Sequence, residues 1–123
     1  MPARILIVDD HEAVRNIIDT ILTNAGYDCM SASTGESALQ MARRFKFDLV
    51  VLDVNMPQMS GLQVLALIRR WAPSVLMVTA NSSIDTVREA VALGCEGYVA
   101  KPIEPRALLG RVQRILSGRP GSG

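Results

Sequence analysis

Five times along this chain a short apolar run gives way to a longer stretch whose apolar residues recur every three or four positions. The runs are Ile5–Val8, Asp28–Ala32 (the weakest), Leu49–Leu52, Val75–Val78 and Gly97–Ala100. Three of them are nearly unbroken Val, Ile, Leu and Met, the composition of parallel strands covered on both faces. The stretches between read as helices. The first carries Val14, Ile17, Ile18, Ile21, Leu22 and Ala25 and is ended by Gly26. The second opens with the capping pattern Ser33-x-x-Glu36 and presents Ala38, Leu39, Ala42 and Phe45. The third begins near Ser60-Gly61 and carries Leu62, Leu65, Ile68 and Trp71. The fourth follows Ser82-x-x-Asp85, carries Val87, Ala90 and Val91, and stops at Gly94. The fifth has Pro105 in its first turn, then Leu108, Leu109, Val112, Ile115 and Leu116. This (βα)5 alternation predicts a three-layer α/β sandwich: parallel strands, right-handed crossovers, and helices on both sheet faces.

A chain of 123 residues is one domain of ordinary size. A hydrophobic fraction of 49% with 20% charged residues excludes a disordered chain. Net charge is +1, without the clustered basic face that direct nucleic-acid binding needs. Cys29 and Cys95 have no CxxC or Cys/His neighbour and read as buried, reduced thiols. No apolar stretch approaches the roughly 18 residues of a membrane span. Met1–Arg4 leads straight into a strand with no signal peptide, so a cytoplasmic location is expected. Periodicity is lost after residue 117, which predicts a domain over 1–117 and a flexible tail over 118–123, a linker start or a cloning remnant.

The chemistry gathers at the strand ends. Asp9 and Asp10 close the first run, Asp53 the third, Thr79 the fourth and Lys101 the fifth. In an open α/β sheet, ligands bind outside the carboxyl ends of the strands, where strand order reverses. The second run ends in Ser33 and adds nothing obvious. The order 2-1-3-4-5 puts it at an edge and leaves the other four contiguous, with the reversal between the acid pair and Asp53. Taken singly, each residue has a plain explanation. An Asp-Asp pair after a strand usually caps a helix or turn, Asp53 precedes a turn at Pro57, Thr favours strands, and a Tyr such as Tyr98 usually packs. Their coincidence at strand ends is different. An acid pair, a lone acid, a hydroxyl and an amine are what is needed to hold a divalent cation and pass a phosphoryl group to an aspartate.

Four stretches, Ile7-Val-Asp-Asp10, Leu52-Asp-Val-Asn-Met-Pro-Gln-Met-Ser-Gly61, Val78-Thr-Ala80 and Gly97-Tyr-Val-Ala-Lys-Pro102, follow in an order that resembles the receiver domain of two-component response regulators. The resemblance covers residues 4 to about 117 and implies a flavodoxin-like fold. It implies a phosphorylation-driven switch rather than a turnover enzyme, with Asp53 as phosphoacceptor from a phosphohistidine. It implies Mg²⁺ (or Mn²⁺) held by Asp10, Asp53 and the backbone carbonyl of Asn55, with Asp9 holding a metal-bound water. Lys101 would neutralise a phosphoryl oxygen. Thr79 would sense the phosphoryl group and Tyr98 would rotate in response, altering the face of helix four, strand five and helix five. The Lys101–Pro102 peptide would be cis.

The implied partners are a sensor histidine kinase or histidine phosphotransfer protein, and a downstream domain, effector or second copy on that same face. Asn55, Met56 and Asn81 lie where relatives tune phosphoryl lifetime. Many relatives have Asp where Ser60 stands, though Ser60 can still cap the third helix. His11 beside the acid pair reads as a solvent-facing first-turn residue. A haloacid-dehalogenase-type phosphotransferase uses similar groups but places its nucleophile after strand one and its acid pair late, the reverse of the order here. A receiver-like binding module that works without phosphorylation would not need all five signature positions.

Overall fold

A computed structural model describes residues 2–80 and 83–118. Its elements run β1 (Arg4–Val8), α1 (Glu12–Asn24), β2 (Asp28–Ala32), α2 (Gly35–Arg44), β3 (Leu49–Leu52), α3 (Gly61–Ile68), β4 (Val75–Thr79), α4 (Ile84–Ala92), β5 (Gly97–Ala100) and α5 (Pro105–Ser117). The five strands form one parallel sheet in the order β2-β1-β3-β4-β5. The (βα)5 sandwich and its strand order are as the sequence predicts.

Period-two alternation divides the strand side chains between two cores. Leu6, Val8, Val50, Leu52, Val75 and Met77 face one side and pack with Ala38 and Ala42 of α2, Val64, Leu65 and Ile68 of α3, and Ala90 of α4. Ile5, Ile7, Leu49, Val51, Leu76, Val78 and Val99 face the other, against Ile18 and Leu22 of α1 and Leu108 and Val112 of α5. The first helix stops where Gly26 takes φ 98°, letting the Tyr27 amide donate back to the Leu22 carbonyl at 3.1 Å.

Several details differ from the sequence expectation. Thr34, not Ser33, caps α2, its hydroxyl accepting from the Ser37 amide at 3.0 Å. Ser83 caps α4 and accepts from the Thr86 amide, while Ser82 lies outside the described residues. Both pairs offer two adjacent hydroxyls, and the point where the chain turns off the sheet decides which one meets the orphan amides. The third helix ends at Ile68, so Trp71 falls outside it and Ala72 fills the core position. Ile17 and Val91, expected on apolar stripes, are 51% and 59% exposed. A helix lying on a sheet buries a narrower arc than the full run of apolar residues in its sequence. Ser60 caps α3 in a complete capping box with Gln63. Cys29 and Cys95 are half-buried free thiols, and burial pushes both up. Among the described residues, no helix is long and apolar enough to cross a membrane.

Candidate functional site

Backbone pairing continues beyond the strands and holds the candidate residues. The Asp53 amide donates to the Val8 carbonyl at 3.0 Å, the Asp9 amide to Ala32 at 3.3 Å, and the Lys101 amide to Thr79 at 3.0 Å. The acids and the amine are thus mounted on extensions of the sheet. The β3–α3 loop then closes tightly, with the Gly61 amide donating to the Val54 carbonyl at 2.7 Å. Only glycine fits at 61. A Cβ there would overlap the Asp53 carbonyl oxygen and meet Val54 Cα at 2.6 Å.

Asp9, Asp53 and Thr79 are all buried. Asp53 Oδ2 accepts from Lys101 Nζ at 3.1 Å, and Oδ1 accepts from the Asn55 amide at 3.2 Å. Lys101 also donates to Asp9 Oδ2, at 2.7 Å, closer than to Asp53. Asp9 Oδ1 accepts the His11 amide at 2.9 Å, and its carbonyl accepts from Arg15 Nη1 at 2.8 Å. Burial alone would lower the Lys101 ammonium. The hydrogen bonds and charges of Asp9 and Asp53 outweigh it and hold Lys101 above its ordinary range. The Lys101–Pro102 peptide is cis.

Asp10 stands apart from these contacts. Its Oδ1 is buried and, among the described residues, has no hydrogen-bond partner; His11 Nδ1 lies 3.1 Å away but not in hydrogen-bonding geometry. Donor atoms of Asp9, Asp10, His11 and Asp53 all fall within 4.8 Å of one another. A buried carboxylate oxygen without a donor is costly. Several hard anionic oxygens converging at that spacing suit a small divalent cation. The residues therefore fit a magnesium-type ion.

Thr79 is fully buried at the last position of β4, in register with Ala100 of β5. Tyr98, half-buried on β5, packs against the cluster containing Leu52, Met77 and Ala90. Burial raises its phenol, with smaller contributions from Cys95 and the Asp53 charge. Met56 is buried in the same cluster, Asn55 is exposed at the loop, and Asn81 lies outside the described residues. The sequence reading did not identify the Lys101–Asp9 contact or the Arg15 tie. Nothing in the linear sequence says which acid a lysine 92 positions away will reach.

Residues 5–113 match the family model described as the response regulator receiver domain. The response regulator protein FleR of Pseudomonas aeruginosa is 41% identical over 125 residues, covering 99% of this chain and 26% of that protein. The chain spans 26% to 49% of the length of the curated relatives FleR, ycf27 of Porphyridium aerugineum and PhoP of Bacillus subtilis. Chemotaxis protein CheY4 of Vibrio cholerae superposes with a TM-score of 0.89 at 34% identity, covering 94% of this chain and 100% of that one. A response regulator of Burkholderia pseudomallei, solved with a phosphorylated aspartic acid and a calcium ion, superposes with a TM-score of 0.85 at 29% identity, covering 90% and 66%.

Proposed function

Because this chain belongs to the response regulator receiver domain family of two-component systems, we propose that it is a phosphorylation-driven switch whose phosphoacceptor is Asp53. The observation that carries this reading is the Asp53 carboxylate itself. It is 3% exposed at the end of β3, with an ammonium on one oxygen and a backbone amide on the other. A buried carboxylate so held is oriented for attack and has little freedom left to lose on the way to the transition state. A carboxylate oxygen of Asp53 forms a bond to phosphorus as the phosphorus–nitrogen bond of a phosphohistidine breaks. The electron pair leaves on the donor's imidazole, which then takes a proton. The chain does little covalent work here beyond supplying the nucleophile; positioning and charge neutralisation carry phosphoryl transfer.

Asp10, Asp53 and the Asn55 carbonyl would hold Mg²⁺ or Mn²⁺, with Asp9 supporting a bound water. When present, that ion offsets the repulsion between the anionic nucleophile and the anionic phosphoryl group. Lys101 shifts its charge from Asp53 to a phosphoryl oxygen while keeping Asp9 as its second partner. Thr79 donates its hydroxyl to another of those oxygens, and Tyr98 repacks as the β4–α4 loop follows. The readout face is α4, β5 and α5, and its partner is a downstream domain, an effector or a second copy. Asn55, Met56 and Asn81 tune how long the acyl phosphate lasts.

The donor is a sensor histidine kinase or a histidine phosphotransfer protein. An apolar hollow of about 230 Å³, lined by Val14, Ile17, Pro102 and Ile103 beside Lys101, is where such a partner would seat. The domain works in the cytoplasm on this reading. The Burkholderia relative with its phosphorylated aspartate supports the chemistry proposed for Asp53. Incubation with phosphoramidate and Mg²⁺ followed by intact mass is the test. The expected result is one phosphoryl adduct on the wild type and none on Asp53→Asn. An adduct that survives Asp53→Asn, or no adduct on the wild type, overturns the assignment.

A further inference from the structure

Neither capping nor packing accounts for the His11 side chain. It stands at the N-cap of α1, where Ser, Thr, Asp or Asn would satisfy an orphan amide, yet its side chain makes no capping hydrogen bond. Packing does not explain it either, because the side chain is 67% exposed. The imidazole instead lies over the acid pair, with Nδ1 3.1 Å from Asp10 Oδ1 and 3.4 Å from Asp9 Oδ1. Asp10 Oδ1 is the same buried oxygen that lacks a hydrogen-bond partner.

The spacing is informative. Two donors at right angles on an ion with bonds of about 2.1 Å sit about 3.0 Å apart. The Nδ1–Oδ1 distance of 3.1 Å matches that separation. We propose that His11 Nδ1 is a ligand of the divalent-cation site, and that it tilts the site toward borderline transition-metal ions such as Co²⁺, Ni²⁺ and Zn²⁺. Imidazole nitrogen suits those ions, whereas Mg²⁺ is served by hard oxygens and retained water. The inference rests on the reading of Asp10 and Asp53 as cation ligands. A purely electrostatic imidazole would act on every divalent cation alike, and that difference separates the two accounts.

Calorimetric titration of the whole chain with Mg²⁺ and, separately, with Co²⁺ provides the test, on the wild type, His11→Ala and His11→Gln. Both variants are expected to lose at least about tenfold in Co²⁺ affinity. Their Mg²⁺ affinity should change by less than about twofold, since an oxygen-preferring ion gains little from imidazole. Nitrogen hyperfine coupling to bound Mn²⁺ in the wild type, absent in both variants, would report the ligand directly. Unchanged Co²⁺ affinity, or an equal loss for both ions, overturns the role of His11 while leaving the oxygen site intact. Failure of the wild type to bind any of these ions overturns that site as well.

Discussion

Replacing Lys101 with Met should leave this domain folded but substantially weakened, and the structure sets the size of the effect. The ammonium lies 2.7 Å from Asp9 Oδ2 and 3.1 Å from Asp53 Oδ2, two buried carboxylates. At an effective dielectric of about 20 these contacts are worth roughly 6 and 5 kcal/mol of gross attraction. Much of that offsets the cost of desolvating three charges. What remains visible on removing one partner is about 3–5 kcal/mol, because two charges are stranded. With a urea slope near 2 kcal/mol/M, the unfolding midpoint should fall by about 2 M at neutral pH.

Asp53→Asn in the Lys101→Met background should recover part of the loss, since it removes one stranded charge. The double-mutant coupling should be about 1–3 kcal/mol. Urea unfolding of the four proteins without divalent ions reads all of this. Stability of Lys101→Met within about 1 kcal/mol of the wild type, or strict additivity in the cycle, would refute the claim that these acids depend on the lysine.

Two further outcomes follow from other contacts. Gly61→Ala forces a methyl group into the Asp53 carbonyl and Val54 Cα, so a loss of about 3 kcal/mol in urea unfolding and markedly slower phosphorylation by phosphoramidate are expected together. Loss of stability with unchanged phosphorylation would show that the loop yields elsewhere. Burial raises Cys29, Cys95, Tyr27 and Tyr98, while hydrogen bonds and charges outweigh burial to raise Lys101. All five hold their protons more tightly folded than unfolded. Their contribution is therefore complete at neutral pH and is lost as pH rises from about 8.5, where free thiols begin to ionise. Melting temperature should fall through that range, and Cys95→Ala should flatten the first part of the fall.

The strands were legible because parallel strands covered on both faces must be almost wholly apolar, and Ile5–Val8, Leu49–Leu52 and Val75–Val78 leave little choice. The strand order was legible because Asp9, Asp10, Asp53, Thr79 and Lys101 are all strand-end residues, and the order 2-1-3-4-5 sets the bare second strand at an edge with the other four contiguous. Finer contacts were not. The choice of Thr34 over Ser33 as a cap depends on the angle at which the chain leaves β2. Trp71 looked like the next turn of a stripe, but α3 ends at Ile68 and the ring instead lies under the Arg43 guanidinium at 5.8 Å. His11 read as a solvated residue because a sequence gives no sign that a side chain at a helix entrance will fold back over the acids before it.

The sheet also acts as a bulkhead. Alternate residues of every central strand commit to one compartment or the other, so the side packed by α2, α3 and α4 and the side packed by α1 and α5 share backbone but not side chains. Changes of shape in one compartment need not disturb the fit in the other. A lineage could retailor the α1 flank, the side proposed above to seat an upstream donor, without repacking the helices on the far side. One scaffold of this kind can thus acquire new upstream pairings while keeping an inherited output, and the reverse is equally open to it.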